Sequence, residues 1–585
     1  MQKITRNFRG HYKEIILGPL FKLLEAVLEL FVPLVMAGII DIGIGRGDSR
    51  YIITRGLLLL VIGILGMASA LICQYYAAIV AGRFGRDLRK QSYSHVMSLS
   101  AADTSAFGAG GLITRLTNDI NQIQTGVNMA IRLGVRVPYL AIGGIIMAIR
   151  LNLRIGLIFL AATIFIALFL YMIMKRTLPS YGSIQEKQDG LSKLSAENLA
   201  GVRVIRAFSR QKDEAQGYEA AAKDMTALII RVGKISTALN PLTSVVAGFA
   251  IMLIVWLGSR YVFEGTMLSG EIIALVTYMN QTLLALIVAA NLLVIFTRAL
   301  ASAKRVAQVL DTQPSILADD SAEKAKSDPS QPALSFKDVT FAYYEGADSA
   351  LKDVSFDIMP GQTVGLIGGT GSGKTTIVNL IMRYFDVKNG AILSYGVNIK
   401  EIDPGVLRSK VGLVPQSAMA FSGSIRRNMQ LSAPEAGDDD IWYALEAAQA
   451  AGFVKNMAGG LDSQIEEGAK NISGGQRQRL TIARALLRKP ELLILDDSSS
   501  ALDYATDAAL RAAIANEKKQ NPAMTVLIIS QRAAGLRNAD NILVMDEGRL
   551  CGQGSHEHLL KTNNVYKEIC QSQGITNGNG KEASA

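Results

Sequence analysis

Four long uncharged apolar runs constrain the fold of this 585-residue chain more than any other feature. They cover residues 57–81, 155–174, 237–259 and 272–297. Runs of about 18 or more apolar residues are long enough to cross a bilayer as helices. Because lipid offers the backbone no hydrogen-bond partners, such a run crosses as a helix that satisfies its own N–H and C=O groups. The runs therefore predict an α-helical membrane domain.

Two further runs, residues 15–44 and 127–149, are apolar but contain charged residues, and they bring the predicted spans to six. An even number of spans places both chain ends on one side. The loops 82–126 and 175–234 carry sixteen Lys and Arg residues, against six in the loops 45–55, 150–154 and 260–271. The positive-inside rule therefore places both termini in the cytosol. The two basic loops also have a helical pattern, which predicts long cytosolic extensions with turns near residues 100–107 and 201–208.

Charged residues inside a predicted span are candidates for function. Glu25 and Glu29 are four residues apart and share one helix face. They either line a cavity for a cationic substrate or pair with Arg132 or Arg136. Polar residues in the last span are open to two interpretations, substrate binding or hydrogen bonding between helices: Asn280, Gln281 and Asn291.

The composition changes after the last span. Residues 1–312 form the predicted membrane domain, 313–332 a polar Pro- and Ser-rich linker, 333–572 an α/β domain and 573–585 a disordered tail. The net charge of +10 is explained by the basic loops, so no nucleic-acid partner is expected. None of the three cysteines forms a close pair, so neither a disulfide framework nor a cysteine metal site is expected.

The α/β domain contains a phosphate-binding loop. Residues 364–367 predict a buried strand and residues 376–382 predict a helix, and the loop between them has the spacing G-x-x-x-x-G-K-[ST]. Its backbone N–H groups and the helix N-terminus are suited to bind phosphates. The Lys side chain would reach the β- and γ-phosphates of ATP, and the following hydroxyl would hold Mg²⁺. The ATP-binding candidates are Gly368, Gly369, Thr370, Gly371, Ser372, Gly373, Lys374, Thr375 and Thr376.

A second apolar run, residues 492–495, ends at Asp496. A carboxylate at the end of a buried strand is where P-loop NTPases hold Mg²⁺. Between the two motifs lies the sequence Ser473, Gly474, Gly475, Gln476.

These four residues resemble the LSGGQ signature of ABC transporters, with Ile472 in place of Leu. The resemblance covers the whole chain, because six spans followed by one nucleotide-binding domain is the order of ABC exporter half-transporters. It implies an ATPase that is coupled to transport across the plasma (inner) membrane, with ATP and Mg²⁺ bound in the cytosolic domain.

The resemblance also implies roles for single residues. Tyr343 is similar to the aromatic residue that stacks on adenine, Gln416 to the Q-loop residue that contacts Mg²⁺, and Asp503 to the D-loop aspartate that follows Ser500, Ala501 and Leu502. The implied Mg²⁺ set is Thr375, Gln416 and Asp496. Arg115 and Asp119 match the family segment that follows the first of the two cytosolic turns, which are called coupling turns in this family. Glu467, just before the signature, resembles the exporter-specific acidic residue that contacts these turns.

In this family two nucleotide domains pack head to tail. The phosphate loop of one domain and the signature of the other then hold each ATP, so Ser473 and the N–H groups of Gly474 and Gly475 would contact the partner's nucleotide. ATP closes the dimer and hydrolysis opens it, and the membrane halves alternate between inward- and outward-facing states.

Two departures from the family pattern affect one ATP site. Asp497 stands where the family has the Glu that activates water, and its carboxylate falls about 1 Å short, which can cost about 10²-fold in rate. Gln531 stands where the family has a His that contacts the γ-phosphate, and Gln is never cationic. We interpret the site as degenerate, with neutral drift as the alternative. The chain then resembles the degenerate-site subunit of heterodimeric bacterial multidrug exporters, with a second half-transporter as its partner and an amphipathic small molecule as its substrate.

Other functions agree less well with the sequence. A homodimeric flippase for lipids or lipid-like substrates would contain only degenerate sites. A sensor without transport does not need an intact signature. A soluble ABC ATPase is disfavoured by six spans, an importer by the fused domains, and a peptide exporter by the lack of a protease domain before residue 15. The residues do not identify the substrate or the partner.

Overall fold

The computed structural model describes residues 2–8, 10, 12–316, 328–344, 346–498 and 503–575. Most of the predicted linker, most of the predicted tail and the D-loop residues Ser500, Ala501 and Leu502 lie outside these ranges. The chain divides into two compact units. The first unit comprises Met1–Ser98 and Phe107–Gln313, and the second comprises Leu99–Ala106 and Pro314–Ala585.

In the part that the structure describes, the first unit consists of helices joined by short turns. Two stretches within it, Ile39–Ile44 and Arg115–Asp119, have the wider π-helical winding, and Arg6–Phe8 is a 3₁₀ turn. Its helices, with α4 crossing the boundary into the second unit, are α1 Gln2–Thr5, α2 Tyr12–Gly38, α3 Ser49–Ser98, α4 Ala101–Phe107, α5 Ala109–Thr114, α6 Ile120–Leu133, α7 Arg136–Leu151, α8 Leu153–Ala200, α9 Val202–Ala207, α10 Gln211–Thr237, α11 Leu239–Phe263 and α12 Ser269–Asp311.

Six helical segments of the described chain are long and apolar enough to cross a membrane, which confirms the predicted number. Most are longer than a bilayer requires. The 50 residues of α3 extend for about 75 Å at 1.5 Å per residue, whereas a hydrocarbon core is about 30 Å thick. The short helices α4 and α9 lie at the two turns that the basic loops predicted. The segments are Tyr12–Ile44, Ser49–Ser98, Ala109–Leu151, Leu153–Ala200, Gln211–Phe263 and Ser269–Asp311.

Apolar packing and a few buried polar contacts hold these helices together. In the main core, Leu275, Tyr278 and Met279 of α12 are fully buried among side chains of α2, α7, α8 and α11. The Tyr278 hydroxyl donates to the carbonyl of Leu30 at 2.6 Å. Because an unpaired polar group costs several kcal/mol in an apolar surrounding, this bond fixes α12 against α2.

A buried ion pair joins α12 to the π-helical stretch Arg115–Asp119. Asp119 has no exposed surface, and its carboxylate accepts from Arg305 Nε at 2.9 Å and from Ser302 Oγ at 3.0 Å. The Arg305 side chain is 48% exposed. The pair therefore consists of a fully buried anion and a half-exposed cation.

The second unit is an α/β domain, as predicted. Its strands are β1 Leu334–Phe341, β2 Leu351–Ile358, β3 Thr363–Gly368, β4 Asn389–Ser394, β5 Val397–Asn398, β6 Val411–Val414, β7 Gly423–Ser424, β8 Gln464–Ile465, β9 Leu492–Asp496, β10 Thr525–Ile529, β11 Asn541–Asp546 and β12 Arg549–Gly554. The main sheet has the strand order β12-β11-β3-β10-β9-β6, in which β11, β3, β10, β9 and β6 are parallel and β12 is antiparallel to β11. A four-stranded antiparallel sheet has the order β2-β1-β4-β5, and β7 pairs with β8.

The central strands are buried on both faces. All five residues of β9 are buried, as expected of a parallel strand that is covered on both sides. The helices of this unit are α13 Lys374–Ile381, α14 Pro404–Ser409, α15 Ile425–Gln430, α16 Asp438–Ala447, α17 Ala451–Lys455, α18 Gly474–Leu487, α19 Tyr504–Gln520, α20 His556–Thr562 and α21 Asn564–Ser572. Two large apolar clusters occupy the unit, one under α13 and the antiparallel sheet and one among α15 to α18.

The predicted turn at residues 100–107 largely belongs to the second unit. Its segment Leu99–Ala106 contains most of α4. The Asp103 carboxylate accepts from the backbone N–H groups of Ser100 and Ser315 at 3.0 and 2.9 Å. Burial alone would raise the pKa of the Asp103 carboxyl, but the hydrogen bonds that it accepts leave this pKa below its usual range. The ionised carboxylate thereby ties α4 to the stretch that begins the second half of the chain.

Candidate active site

Four loops with predicted site residues follow neighbouring parallel strands. The phosphate loop follows β3, Asp496 ends β9, Gln531 lies two residues after β10, and Gln416 lies two residues after β6. Ile529 of β10 is aligned with Leu366 on one side and with Asp496 on the other. Because parallel strands end at the same edge of a sheet, ligands bind there in open α/β folds. This edge is the candidate active site.

The phosphate loop needs its glycines for two physical reasons. Gly371 and Gly373 have φ of +81° and +97°, which L side chains rarely adopt. A Cβ at Gly368 would collide with the carbonyl oxygen of Met545, and a Cβ at Gly373 would lie 2.6 Å from a methyl group of Leu351. Gly373 precedes the first turn of α13, so the loop leads its N–H groups into a helix N-terminus that attracts anions.

Lys374 lies over the phosphate loop. Its ammonium donates to the carbonyls of Gly368 and Gly369 at 2.9 and 2.6 Å and to Ser372 Oγ at 3.2 Å. Burial lowers the pKa of Lys374, and the carboxylates of Asp496 and Asp497 oppose that shift. The cation is thus held where a phosphate can replace the loop carbonyls as its partner.

The two carboxylates at the end of β9, those of Asp496 and Asp497, differ in environment. Asp496 is 6% exposed, and burial, with a smaller contribution from Asp497, raises its pKa to about 6 against the opposing effect of Lys374. Asp497 has φ of +47°, and its N–H donates to the carbonyl of Ile529 at 2.9 Å. A non-glycine residue in this left-handed region is strained by about 1–3 kcal/mol. The backbone of Asp497 is therefore fixed by β10, and the reach of its carboxylate toward the edge depends on the length of its side chain.

The edge suits Mg²⁺ by the chemistry of its donors. Mg²⁺ is usually bound through one or two carboxylates together with substrate phosphates and water. The Asp496 carboxylate at the end of β9, the Thr375 hydroxyl in the first turn of α13 and the Gln416 amide in the loop after β6 all offer oxygen atoms near this edge, and Thr375 and Gln416 are exposed. These residues fit the ion, and a proton on Asp496 would compete with it.

Tyr343 lies against the helix that follows the phosphate loop. Its hydroxyl is 3.1 Å from Thr376 Oγ1 and accepts from Asn379 Nδ2 at 3.2 Å. The rings of Phe341 and Phe385 pack edge-on against its ring, at centroid distances of 5.0 and 5.1 Å. The ring is 37% exposed, so one part of it is available for a planar ligand.

The loop after β10 has a contact that the sequence did not predict. The Gln573 side-chain amide donates from Nε2 to the carbonyl of Gln531 at 2.7 Å, and its Oε1 accepts from the N–H of Ala533 at 2.8 Å. The Gln531 side chain itself is exposed. Sequence reasoning placed residue 573 at the start of a disordered tail, whereas the structure shows the capped end of a helix. Gly574, which follows the C-cap residue Gln573, was the available signal.

The predicted signature begins a helix. Ser473 Oγ accepts from the N–H of Gln476 at 3.2 Å, and Gln476 Oε1 accepts from the N–H of Ser473 at 2.9 Å. This capping box satisfies two of the N–H groups that α18 leaves free. Ser473 and Gly474 are exposed, so the turn is accessible to a partner.

Asp503 is also a capping residue. Its carboxylate accepts from the N–H of Thr506 at 2.9 Å and from Thr506 Oγ1 at 2.8 Å, and these bonds lower the pKa of Asp503. The interaction begins α19 directly after the predicted D-loop. An ionised Asp503 therefore fixes the end of that loop.

Glu25 and Glu29 of the first span are both ion-paired. Glu29 accepts from Arg136 Nη2 at 2.8 Å, and Glu25 accepts from Lys22 Nζ at 2.6 Å and lies 3.9 Å from Arg136 Nε. The structure thus shows pairing with Arg136, one of the two interpretations, and adds Lys22, which sequence reasoning did not consider. Their role as a substrate cavity stays a prediction.

The polar residues of the last span differ from one another. Asn280 is exposed. Gln281 is half-buried, and its Oε1 is buried without a hydrogen-bond partner among the described residues. Of these two residues, Gln281 is therefore the one with an unsatisfied acceptor inside the helix bundle, and substrate binding by either residue stays a prediction.

Comparisons with known proteins cover both halves of the chain. Residues 15–286 match the family "ABC transporter transmembrane region", and residues 351–500 match the family "ABC transporter". An uncharacterised ABC transporter ATP-binding protein of Mycobacterium tuberculosis is 33% identical over 98% of both chains. The ATP-dependent lipid A-core flippase of Mannheimia succiniciproducens is 30% identical over 92% of this chain and 91% of its own.

A solved structure has the same fold. The structure of a bacterial Atm1-family ABC exporter with ATP bound superposes with a TM-score of 0.79, covers 98% of this chain and 99% of its own, and is 22% identical. At this identity the likeness concerns the arrangement of helices and strands alone.

Proposed function

Because this chain belongs to the ABC transporter family and carries the membrane region and the ATPase on one polypeptide, we propose that it is one subunit of a heterodimeric exporter of amphipathic compounds. The chain is a multi-pass membrane protein, because six of its helical segments are long and apolar enough to cross a bilayer. It is also an ATPase, because ATP hydrolysis drives transport in this family. The finer proposal is that its own ATP site hydrolyses slowly. Its signature then serves the hydrolysing site of a second half-transporter.

The observation that carries this proposal is the pair Asp497 and Gln531 at one edge of the sheet. The backbone of Asp497 is fixed by its bond to Ile529, so a shorter side chain is not offset by a shift of the chain. Gln531 can donate a hydrogen bond to a γ-phosphate but cannot supply a positive charge. A water molecule at this site is therefore poorly oriented, and the developing charge is less well stabilised.

The remaining residues of the edge are suited to bind ATP. The phosphate loop and Lys374 would hold the phosphates, and Tyr343 would stack on the adenine. Thr375, Asp496 and Gln416 would hold Mg²⁺, which when bound neutralises charge on the β- and γ-phosphates. ATP binding without fast turnover would keep this site closed while the partner's site cycles.

The side of the membrane follows from the charged loops. The loops that contain α4 and α9 carry sixteen of the Lys and Arg residues counted above, and the positive-inside rule places them in the cytosol with both termini and the ATPase domain. We therefore assign the chain to the plasma membrane, with the extended ends of its long helices inside the cell.

The second candidate is a homodimer that moves lipids or lipid-like compounds. The observation in its favour is the similarity, at 28–30% identity, to proteins named ATP-dependent lipid A-core flippase. Two copies of the slow site would then be the only sites of the transporter. The two candidates thus differ in the ATPase rate of the chain alone.

The test is the ATPase rate of the purified full chain in lipid nanodiscs. The chain alone should hydrolyse far more slowly than the rate on the order of 1–10 per second that is common for enzymes. The double variant Asp497→Glu/Gln531→His should raise the rate by up to about 10²-fold. Asp497→Glu alone should recover part of that gain.

The matched control is Asp497→Asn, which removes the carboxylate and keeps the shape. If the wild-type chain alone turns over at an ordinary rate and Asp497→Asn stops it, the slow-site proposal is wrong and the homodimer is favoured. If the double variant is no faster than the wild type, these two residues do not limit hydrolysis.

A further inference from the structure

The last helix of the described chain, α21, reaches the active-site edge through one side chain, that of the Gln573 residue that follows it. The Gln573 amide makes two hydrogen bonds to the loop after β10, one to the carbonyl of Gln531 and one from the N–H of Ala533. Each atom of the amide has the partner that its chemistry requires, a donor facing a carbonyl and an acceptor facing an N–H. The side chain thus bridges the two backbone groups on either side of residue 532.

The geometry of Gln573 is set by a helix cap. The N–H of Gly574 donates to the carbonyl of Gln571 at 3.0 Å, and the N–H of Ile575 donates to the carbonyl of Cys570 at 2.9 Å. These two bonds, with Gly574 at φ of +71°, form a Schellman motif. Ile575 packs against the apolar cluster below the helix, which is the contact that usually accompanies this motif.

Buried side chains anchor the helix that carries the cap. Tyr566 and Cys570 of α21 have no exposed surface, and they belong to one cluster with Ala533 and Leu536 of the loop. The Tyr566 hydroxyl lies 2.7 Å from His556 Nδ1. Because α21 is fixed in this way, Gln573 offers its amide to the loop from a rigid support.

We propose that Gln573 is a positioning residue for the loop that presents the Gln531 side chain to the γ-phosphate. The side chain of Gln573 bonds to backbone groups of the loop, so it would act on the nucleotide through Gln531 and not by direct contact. It fixes the backbone on both sides of Arg532, and thereby the direction in which the neighbouring Gln531 side chain points. The inference rests on the proposed role of this edge in hydrolysis, but it does not depend on whether the site is slow or on the identity of the partner.

Substitutions at position 573 separate the two bonds. Gln573→Glu keeps the acceptor for Ala533 and loses the donor to Gln531. Gln573→Lys keeps a donor and loses the acceptor, and Gln573→Ala loses both. Gln571→Ala is the matched control, because Gln571 is an exposed residue of the same helix end and enters the cap through its backbone carbonyl.

The first measurement is hydrogen–deuterium exchange of the full chain in nanodiscs without nucleotide. Exchange at the Ala533 N–H should be faster in the Ala and Lys variants and unchanged in the Glu variant and the control. Exchange in α21 should be unchanged in all four, because the cap and the Tyr566 anchor remain. Equal exchange at Ala533 in the wild type and the Ala variant would overturn the proposal, and so would faster exchange throughout α21.

The second measurement is single-turnover ATP hydrolysis, in the wild-type chain and in the Asp497→Glu/Gln531→His background. Each lost bond should lower the hydrolysis rate by about two- to ten-fold, the equivalent of one net hydrogen bond, with the KM for ATP changed less than two-fold. A change in KM alone, or no change in rate where exchange at Ala533 is faster, would refute a positioning role. If the wild type is itself fast, the slow-site proposal fails, and the effect at position 573 is still measured.

Discussion

Removal of either partner of the Asp119–Arg305 pair should have unequal effects on stability. The Asp119 carboxylate is fully buried, whereas the Arg305 side chain is 48% exposed. In Arg305→Ala, Ser302 is the side-chain partner that the buried anion keeps among the described residues. In Asp119→Asn, the guanidinium that loses its partner can turn toward water. The difference in burial therefore predicts which substitution is the more harmful.

The magnitudes follow from the cost of isolated charges. An uncompensated buried charge costs about 3–5 kcal/mol, and the remaining Ser302 bond at 3.0 Å places Arg305→Ala at about 3 kcal/mol. Asp119→Asn leaves the half-exposed Arg305 without its ion-pair partner and should lower the free energy of unfolding by about 1 kcal/mol. The double variant contains no buried charge and should also lose about 1 kcal/mol, so a coupling energy of about 3 kcal/mol is expected.

The assay is unfolding of the full chain in mixed micelles by added SDS, followed by far-UV circular dichroism, which is dominated by the long helices. Thr312→Ala, which removes an exposed hydroxyl at the end of the same helix, is the control and should be neutral. Equal losses for the two single variants, or losses that add in the double variant, would refute the argument from burial.

Three further predictions concern the ATP site. Because burial raises the pKa of Asp496 to about 6, Mg²⁺-dependent ATP binding should weaken about ten-fold per pH unit below that value, and Asp496→Asn should remove this dependence in a binding titration. The folded chain also binds this proton more tightly than the unfolded chain, so the carboxyl group contributes stability that grows as the pH falls from about 6 toward 3.8. In the phosphate loop, Gly373→Ala meets both strain and a close contact, Gly371→Ala meets strain alone, and Gly369→Ala meets neither. Thermal unfolding should show losses of stability that decrease in that order, with about 1–2 kcal/mol for strain and about 1–3 kcal/mol more for the contact. Equal losses of stability in the three variants would show that backbone strain does not govern this loop.

The sequence predicts the features whose cause is local. Residues 364–376 contain a strand, a glycine-rich turn and a helix start, and the structure forms all three. The six spans follow in the same way from run length and from the demand that lipid places on the backbone. The roles of the site residues remain predictions, because neither the fold nor the family tests them one by one.

Contacts between distant parts of the chain are harder to predict. Gln573 bonds to a loop 40 residues away, and it depends on a cap that two backbone hydrogen bonds create. The partner of Glu29 is 107 residues away, so the spacing of the two glutamates could not decide between a cavity and an ion pair. The i, i+3 spacing of Lys22 and Glu25 was visible in the sequence, and a search for local pairs would have found it.

The length of α3 has a mechanical consequence. Its 50 residues form one unbroken helix of about 75 Å, and a rotation of about 5° at one end displaces the other end by roughly 6 Å. Such a helix acts as a lever, in which small angular changes become large linear movements. A rearrangement of a few side chains at one end is then sufficient to open or close a passage of molecular size at the other.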